Sequence, residues 1–216
     1  MSRSFDRLAG IYRALEFLAF GPDLERTRFC LLERLANCQS ILILGEGDGR
    51  CLARLVLLAP QARIHCVEQS AGMIARTARR LAAEDRVRVW LEEADALTVP
   101  LEATKYDAVM TLFFLDCFTP AQVERLTAQV SLACVPTARW LMADFVIPAQ
   151  GWRRQRARLW VGLLYAFFRW QTKLSARALP PSGEILRQNG WTEVESREFQ
   201  AGMLRAALYC RVGGIA

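Results

Sequence analysis

The chain predicts an α/β fold: a mostly parallel sheet of seven strands with helices on both faces. Three observations carry that expectation. An apolar, β-branched run, Ile41-Leu42-Ile43-Leu44, stops at Gly45-Glu46-Gly47-Asp48-Gly49, and a helix-forming segment follows at once. A buried strand feeding a glycine turn and a helix N-terminus is a common cradle for an adenosine-containing cofactor. Strand-like and helix-like stretches then alternate, each crossover long enough for a helix, as a parallel sheet requires. The second strand-like run ends in an acid, Glu68, 19 residues after Gly49.

The elements follow in order. Ser4 is a suitable N-cap for a first helix carrying Leu8, Ile11, Tyr12, Leu15 and Leu18 at helical spacing. Gly21-Pro22 breaks it and starts a second helix through Asn37. Strands are predicted over 40–44, 63–67, 87–91, 106–114 and 139–146, with helices over 50–58, 70–83 (capped by Ser70) and 120–134. Residues 151–172 read as a helical, aromatic insertion and 182–189 as a short helix ended by Gly190. Two last strands, 192–199 and 203–211, are joined by the hairpin-length loop Gln200-Ala201-Gly202. No repeat or low-complexity linker interrupts the chain. One domain is expected over 1–216: N-terminal helices in 1–39, a cofactor-binding core in 40–147, a basic aromatic insertion in 148–180, and a helix with hairpin in 181–216.

At 216 residues, 53% hydrophobic and 23% charged, the chain has the composition of a folded globular protein. Its longest apolar run, residues 159–168, is half the ~20 needed to span a bilayer. The N-terminus, with Arg3, Asp6 and Arg7 and no apolar core, does not read as a secretory signal, so the expected location is cytoplasmic. Seven cysteines without a C-x-x-C spacing read as reduced thiols. With His65 the single histidine, no metal site is expected. His65 itself, in mid-strand beside Cys66, reads as a packed core residue.

The net charge of +6 is concentrated: residues 145–183 carry seven cations and no acid, leaving the rest near neutral. The same stretch holds Phe145, Trp152, Trp160, Tyr165, Phe167, Phe168 and Trp170, a third of the aromatics.

The order of site-like residues is distinctive. Glu68 at a strand tip can accept from two ribose hydroxyls, and Asp95 can take the exocyclic amine of adenine. Glycine loop, acidic end of the second strand, Asp95-Ala96, "YDAVMTLFFLD" and a closing "SGEILRQNGWTEVES…RAALYCR" resemble a class I S-adenosylmethionine-dependent methyltransferase. The N-terminal "FDRLAGIYRALE" is similar to a helix of the quinone-biosynthesis and phospholipid methyltransferase branch. The resemblance implies a Rossmann-like seven-stranded sheet whose last strand is antiparallel, an N-terminal helical lid, and the aromatic helical insertion after the fifth strand. It implies S-adenosylmethionine on Gly45, Gly47 and Gly49, with Glu68 on the ribose, Asp95 and Ala96 on the adenine edge, Met73 over its ring, Leu112 at the sulfonium end, and Tyr12 on the lid. Where the family places an acid two residues before the first glycine, this chain has Ile43, so Glu46 and Asp48 are expected to supply negative charge near the cofactor's amino group. Arg13 also replaces the family's usual Asp.

Each position has a plainer alternative. Asp95, beside Glu92 and Glu93, also fits an acidic loop; Asp48 fits a left-handed turn position; Tyr12 fits helix packing. A base for methyl transfer, if one is used, is expected among Asp144, Asp116 and Tyr165. Asp144 equally fits a structural cap before Pro148. The basic aromatic insertion reads either as a helix buried against the sheet with its arginines solvated, or as a lid over a small hydrophobic or lipid-like acceptor. In the second reading Arg153, Arg154, Arg156 and Arg158 rest on an anionic membrane surface. Its contiguous apolar residues do not suit nucleic acid, which needs spaced stacking platforms. A non-catalytic binding module and a nicotinamide-dependent oxidoreductase stand as alternatives, the latter disfavoured by the tight glycine spacing.

Overall fold

The computed structural model describes residues 21–148, 150–152, 154–156, 159, 162 and 179–211. Tyr12, Tyr165, Arg153 and Arg158 therefore lie outside the described residues.

Seven strands, β1 (Ser40–Leu44), β2 (Arg63–Glu68), β3 (Val89–Glu93), β4 (Tyr106–Leu112), β5 (Cys134–Phe145), β6 (Trp191–Phe199) and β7 (Leu204–Arg211), form one sheet. Around it run α1 (Asp23–Phe29), α2 (Arg50–Leu58), α3 (Ala71–Arg80), α4 (Ala83–Arg86), α5 (Pro120–Ala133) and α6 (Ser182–Gln188). The strand order is β3-β2-β1-β4-β5-β7-β6, with β1 to β5 parallel and β7 antiparallel to both its neighbours. The chain leaves β1 toward β2 on one side and returns to β4 on the other. That reversal opens a crevice at the carboxyl ends of β1 and β4, where open α/β sheets bind ligands.

β1 is buried on both faces, so its residues are apolar without alternation. Ile41 and Ile43 pack with Leu32, Leu35, Leu52 and Leu55 on one side, and Leu42 and Leu44 with Val109, Val123, Leu126 and Trp140 on the other. Trp140 and Trp191 meet edge to face at 5.2 Å, and each indole N–H finds a hydroxyl: Thr111 for Trp140, Ser131 for Trp191, both at 2.9 Å. α5 begins where Pro120 occupies the first turn and Thr119 with Gln122 closes a capping box.

Several boundaries differ from expectation for identifiable reasons. The second helix stops at Phe29, and a 3₁₀ turn at Leu32–Leu35 lets Leu31, Leu32 and Leu35 all reach the core. The helix expected over 70–83 ends at Arg80, and α4 adds one separate turn. β3 starts at Val89 because Val87 is still helical at the end of α4 and Arg88 N closes that turn on Asp85 O at 3.2 Å. β4 ends at Leu112 because Phe113 turns into the left-handed region at φ 54°. β5 begins at once after α5, at Cys134, its opening residues joined to β4 across an irregular register.

His65 is buried and structural, as the sequence suggested. Tyr106 O–H donates to Nδ1 at 2.6 Å, Nε2–H donates to Glu92 at 2.7 Å, and the ring stacks on Trp90 at 4.0 Å. Burial lowers its pKa against the pull of Glu92, so the neutral ring satisfies both contacts.

Candidate cofactor and methyl-acceptor site

The glycine loop leaves β1 with Gly45, Gly47 and Gly49 all left-handed, at φ 70°, 72° and 85°. Two of them are sterically required. A Cβ on Gly45 would lie 2.1 Å from the Phe114 ring, and one on Gly49 would lie 2.7 Å from the Thr77 Cα on α3. Gly47 is different: among the described residues a Cβ there meets nothing within 4 Å.

Glu68, at the tip of β2, accepts from Gly47 N at 3.1 Å and from Ser70 N at 2.9 Å. Burial raises its pKa, with those N–H donors opposing. A half-buried acid of this kind gains from further hydroxyl donors, and a ribose diol supplies two. β3 delivers Asp95 beside it, since Ala94 N bonds Glu68 O at 3.2 Å; Asp95 caps its own loop through Leu97 N at 2.9 Å, and Ala96 is buried. Met73 is half-buried in the first turn of α3, behind the Ser70 cap, and Leu112 is buried at the end of β4.

The loop's two acids have protein partners. Glu46 accepts from Leu52 N at 2.9 Å and so caps α2, whose N-cap, Gly49, has no side chain to do so. Burial pushes this carboxyl up to about 7 despite the N–H donors. Asp48 binds Arg50 at 3.1 Å and Arg80 at 3.3 Å; burial opposes its charge, but the two guanidinium groups outweigh it and hold the pKa low. Both carboxylates brace the loop's own architecture in this structure. Ile43, the apolar substitute for the family's acid, is buried among core side chains.

At the tips of β4 and β5 the two candidate bases do come together. Asp144 is 4% exposed, accepts from Phe145 N at 3.1 Å, and lies 3.4 Å from Ser182 Oγ on α6. Burial and the neighbouring Asp116 carboxylate raise its pKa well above the ordinary range. Beside them sits Cys117, an exposed residue whose Sγ is 3.6 Å from Asp116 Oδ1 and whose pKa the nearby Asp116, Asp144 and Glu68 carboxylates push up. The acids of both strand tips and Glu68 all act electrostatically on this one thiol. Aromatic rings flank this turn: Phe113 against Phe145 at 5.1 Å and Phe114 against Phe118 at 4.9 Å.

Two residues of this region escape sequence reasoning. Arg28 on α1 places its guanidinium 5.2 Å from the Phe113 ring centre and acts electrostatically on Glu46. Cys117 looked like any other thiol. Neither belongs to a motif; only the packing of α1 and the turn after β4 brings them in. Of the arginines expected on a membrane, Arg154 is exposed, while Arg156 donates to Gln200 Oε1 at 3.0 Å.

The residues present fit an adenosylated amino acid: an open glycine turn, a half-buried acid at ribose position with acceptor capacity beyond its two backbone donors, and an apolar strand end. Comparison with known proteins agrees. A methyltransferase domain family matches residues 41–137. A demethylmenaquinone methyltransferase of Thermus thermophilus is 30% identical over 149 residues, covering 68% of this chain and 66% of its own length. The mitomycin 7-O-methyltransferase MmcR superposes with a TM-score of 0.67 at 18% identity, over 89% of this chain but 55% of its own. The 1,6-didemethyltoxoflavin-N1-methyltransferase of Burkholderia thailandensis, solved with 1,6-didemethyltoxoflavin and S-adenosylhomocysteine, gives 0.65 at 15% identity, over 97% and 87% of the two chains. At such identities the solved structures establish the fold; with the sequence matches and the loop geometry, the chain belongs to the class I S-adenosylmethionine-dependent methyltransferases.

Proposed function

We propose that the protein transfers a methyl group from S-adenosylmethionine to a small hydrophobic or lipid-like acceptor. The observation that carries this reading is the buried Asp144, with Asp116 acting on it, beside the aromatic rings at the strand tips. When bound, the cofactor supplies a methyl group on a sulfonium, an already activated leaving group. The protein's task is then alignment, exclusion of water and, where the acceptor requires it, proton removal.

The residues divide that work. Gly47 leaves room along the loop, Glu68 accepts from the ribose hydroxyls, and Asp95 and Ala96 meet the adenine edge, with Met73 over the ring and Leu112 toward the reacting end. Phe113 and Phe145 shed water from the acceptor side. Burial and the neighbouring Asp116 favour the protonated form of Asp144, so in this reading the two carboxyls share the handling of a proton. The pair can therefore both donate to and accept from an acceptor hydroxyl or amine, and take its proton as the new bond to carbon forms. The demethylmenaquinone methyltransferase relative makes a quinol a sensible first acceptor to try.

The test is transfer of label from methyl-labelled S-adenosylmethionine to a panel of quinols, phenols and phosphatidylethanolamine. Labelled product from at least one is expected; a protein that binds S-adenosylhomocysteine yet labels none would favour the non-catalytic binding module, a reading that the apolar Ile43 supports. We also propose a cytoplasmic protein that touches anionic membrane through Arg153, Arg154, Arg156 and Arg158. Liposome flotation with and without anionic lipid tests this: equal flotation of wild type and the fourfold Arg→Gln variant refutes it.

A further inference from the structure

α3 covers the sheet, but one side of it also grips the glycine loop from outside. Thr77 Oγ1 donates to Gly47 O at 3.3 Å. Arg80 holds a single residue twice: Nε donates to the backbone O of Asp48 at 2.7 Å, and Nη2 to its carboxylate at 3.3 Å. The other carboxylate oxygen takes Arg50 Nε at 3.1 Å, and Arg50 Nη1 continues to Glu25 on α1 at 3.1 Å.

These contacts fix more than position. In a trans peptide the C=O and the following N–H point in opposite directions. With the carbonyls of Gly47 and Asp48 turned to α3, the N–H groups of Asp48 and Gly49 are turned away from it. A loop with glycines on both sides of Asp48 would otherwise sample many arrangements and lose that freedom on binding. Stability is a poor explanation for the contacts, because Arg80 is 39% exposed and exposed ion pairs contribute little.

We infer that Arg80, with Thr77, is a positioning residue that sets the glycine loop in its cofactor-binding shape through Asp48. The inference rests on the reading that this loop binds S-adenosylmethionine. It makes affinity, and not folding, the property that depends on Arg80.

Calorimetry with S-adenosylhomocysteine on the full chain, with a thermal melt of every variant, provides the test. Arg80→Gln is expected to weaken binding about tenfold while the melting temperature stays within about 2 °C of wild type. Arg80→Lys keeps the charge but not the fork that reaches backbone and carboxylate together, so it recovers only part of the affinity. The double variant Asp48→Asn/Arg80→Gln loses less than the sum of the two single variants, because they share the contact between Arg80 Nη2 and the Asp48 carboxylate. Thr77→Val gives a second, independent loss at the Gly47 carbonyl. Wild-type affinity in Arg80→Gln overturns the inference, as does a loss of affinity matched by a parallel loss of thermal stability. A wild type that takes up no S-adenosylhomocysteine overturns the cofactor reading itself, and this inference with it.

Discussion

Alanine at Gly47 and alanine at Gly49 impose the same backbone demand with opposite steric consequences. Both positions are left-handed, at φ 72° and 85°, which costs an alanine about 1–2 kcal/mol. At Gly49 the new methyl would also lie 2.7 Å from the Thr77 Cα, a backbone atom that cannot swing aside. Overpacking of that kind adds about 1–3 kcal/mol. At Gly47 no described residue stands within 4 Å, so the backbone term acts alone. For a chain of this length each kcal/mol lowers the melting temperature by roughly 2–4 °C. Gly47→Ala is therefore expected to melt about 2–8 °C below wild type, and Gly49→Ala about twice as far below. Binding should rank them the other way in relation to their stability. Gly47→Ala stays folded but fills the space along which the cofactor passes, so it should lose most affinity for S-adenosylhomocysteine in calorimetry at 15 °C. A folded Gly47→Ala that binds as tightly as wild type would refute the placement of the cofactor along the open side of the loop.

Two further predictions concern buried carboxyls. Glu46 is pushed from 4.5 to about 7 in the folded chain, so the fold binds its proton more tightly than the unfolded chain does. That contribution is complete below pH 4.5 and is lost as pH rises through about 7, by up to about 3 kcal/mol. Glu46→Gln keeps an oxygen for Leu52 N and cannot ionise; in urea unfolding it should flatten the fall in stability between pH 5 and 8, and an unchanged slope would exclude Glu46 as its source. Asp144 also has a raised pKa, from burial and from Asp116, so its ionisation likewise costs stability as pH rises. Asp144→Asn should leave S-adenosylhomocysteine binding within about twofold and lower methyl transfer by about 10²–10⁴, the usual worth of a positioned proton acceptor. Equal transfer rates would reduce Asp144 to a cap for the loop after β5.

The fold was legible because strong local signals agreed with one another. The apolar Ile41–Leu44 run had to be buried on both faces, the Gly45-Gly47-Gly49 spacing had to turn, and Thr119-Pro120 had to start a helix. The acids at strand tips, Glu68, Asp95, Asp116 and Asp144, were legible for the same reason: strand ends fix their place in the crevice. Side-chain direction was not. Glu46 and Asp48 lie in the right loop, but the uncapped N-terminus of α2 claims one and two arginines from different elements claim the other. Arg80 is 32 residues from Asp48, and no spacing in the sequence announces that contact. Arg28 reaches Phe113 only because α1 ends at Phe29 and the chain then tightens to bury Leu31 and Leu32.

The central claim is that this loop, with Glu68, holds S-adenosylmethionine. Calorimetric titration of wild type and Glu68→Ala with S-adenosylhomocysteine tests it most directly. Wild type should show saturable one-to-one binding, and Glu68→Ala a loss of at least about tenfold, the cost of removing an acceptor from two hydroxyls. Absence of binding by wild type, or equal binding by the variant, would contradict it.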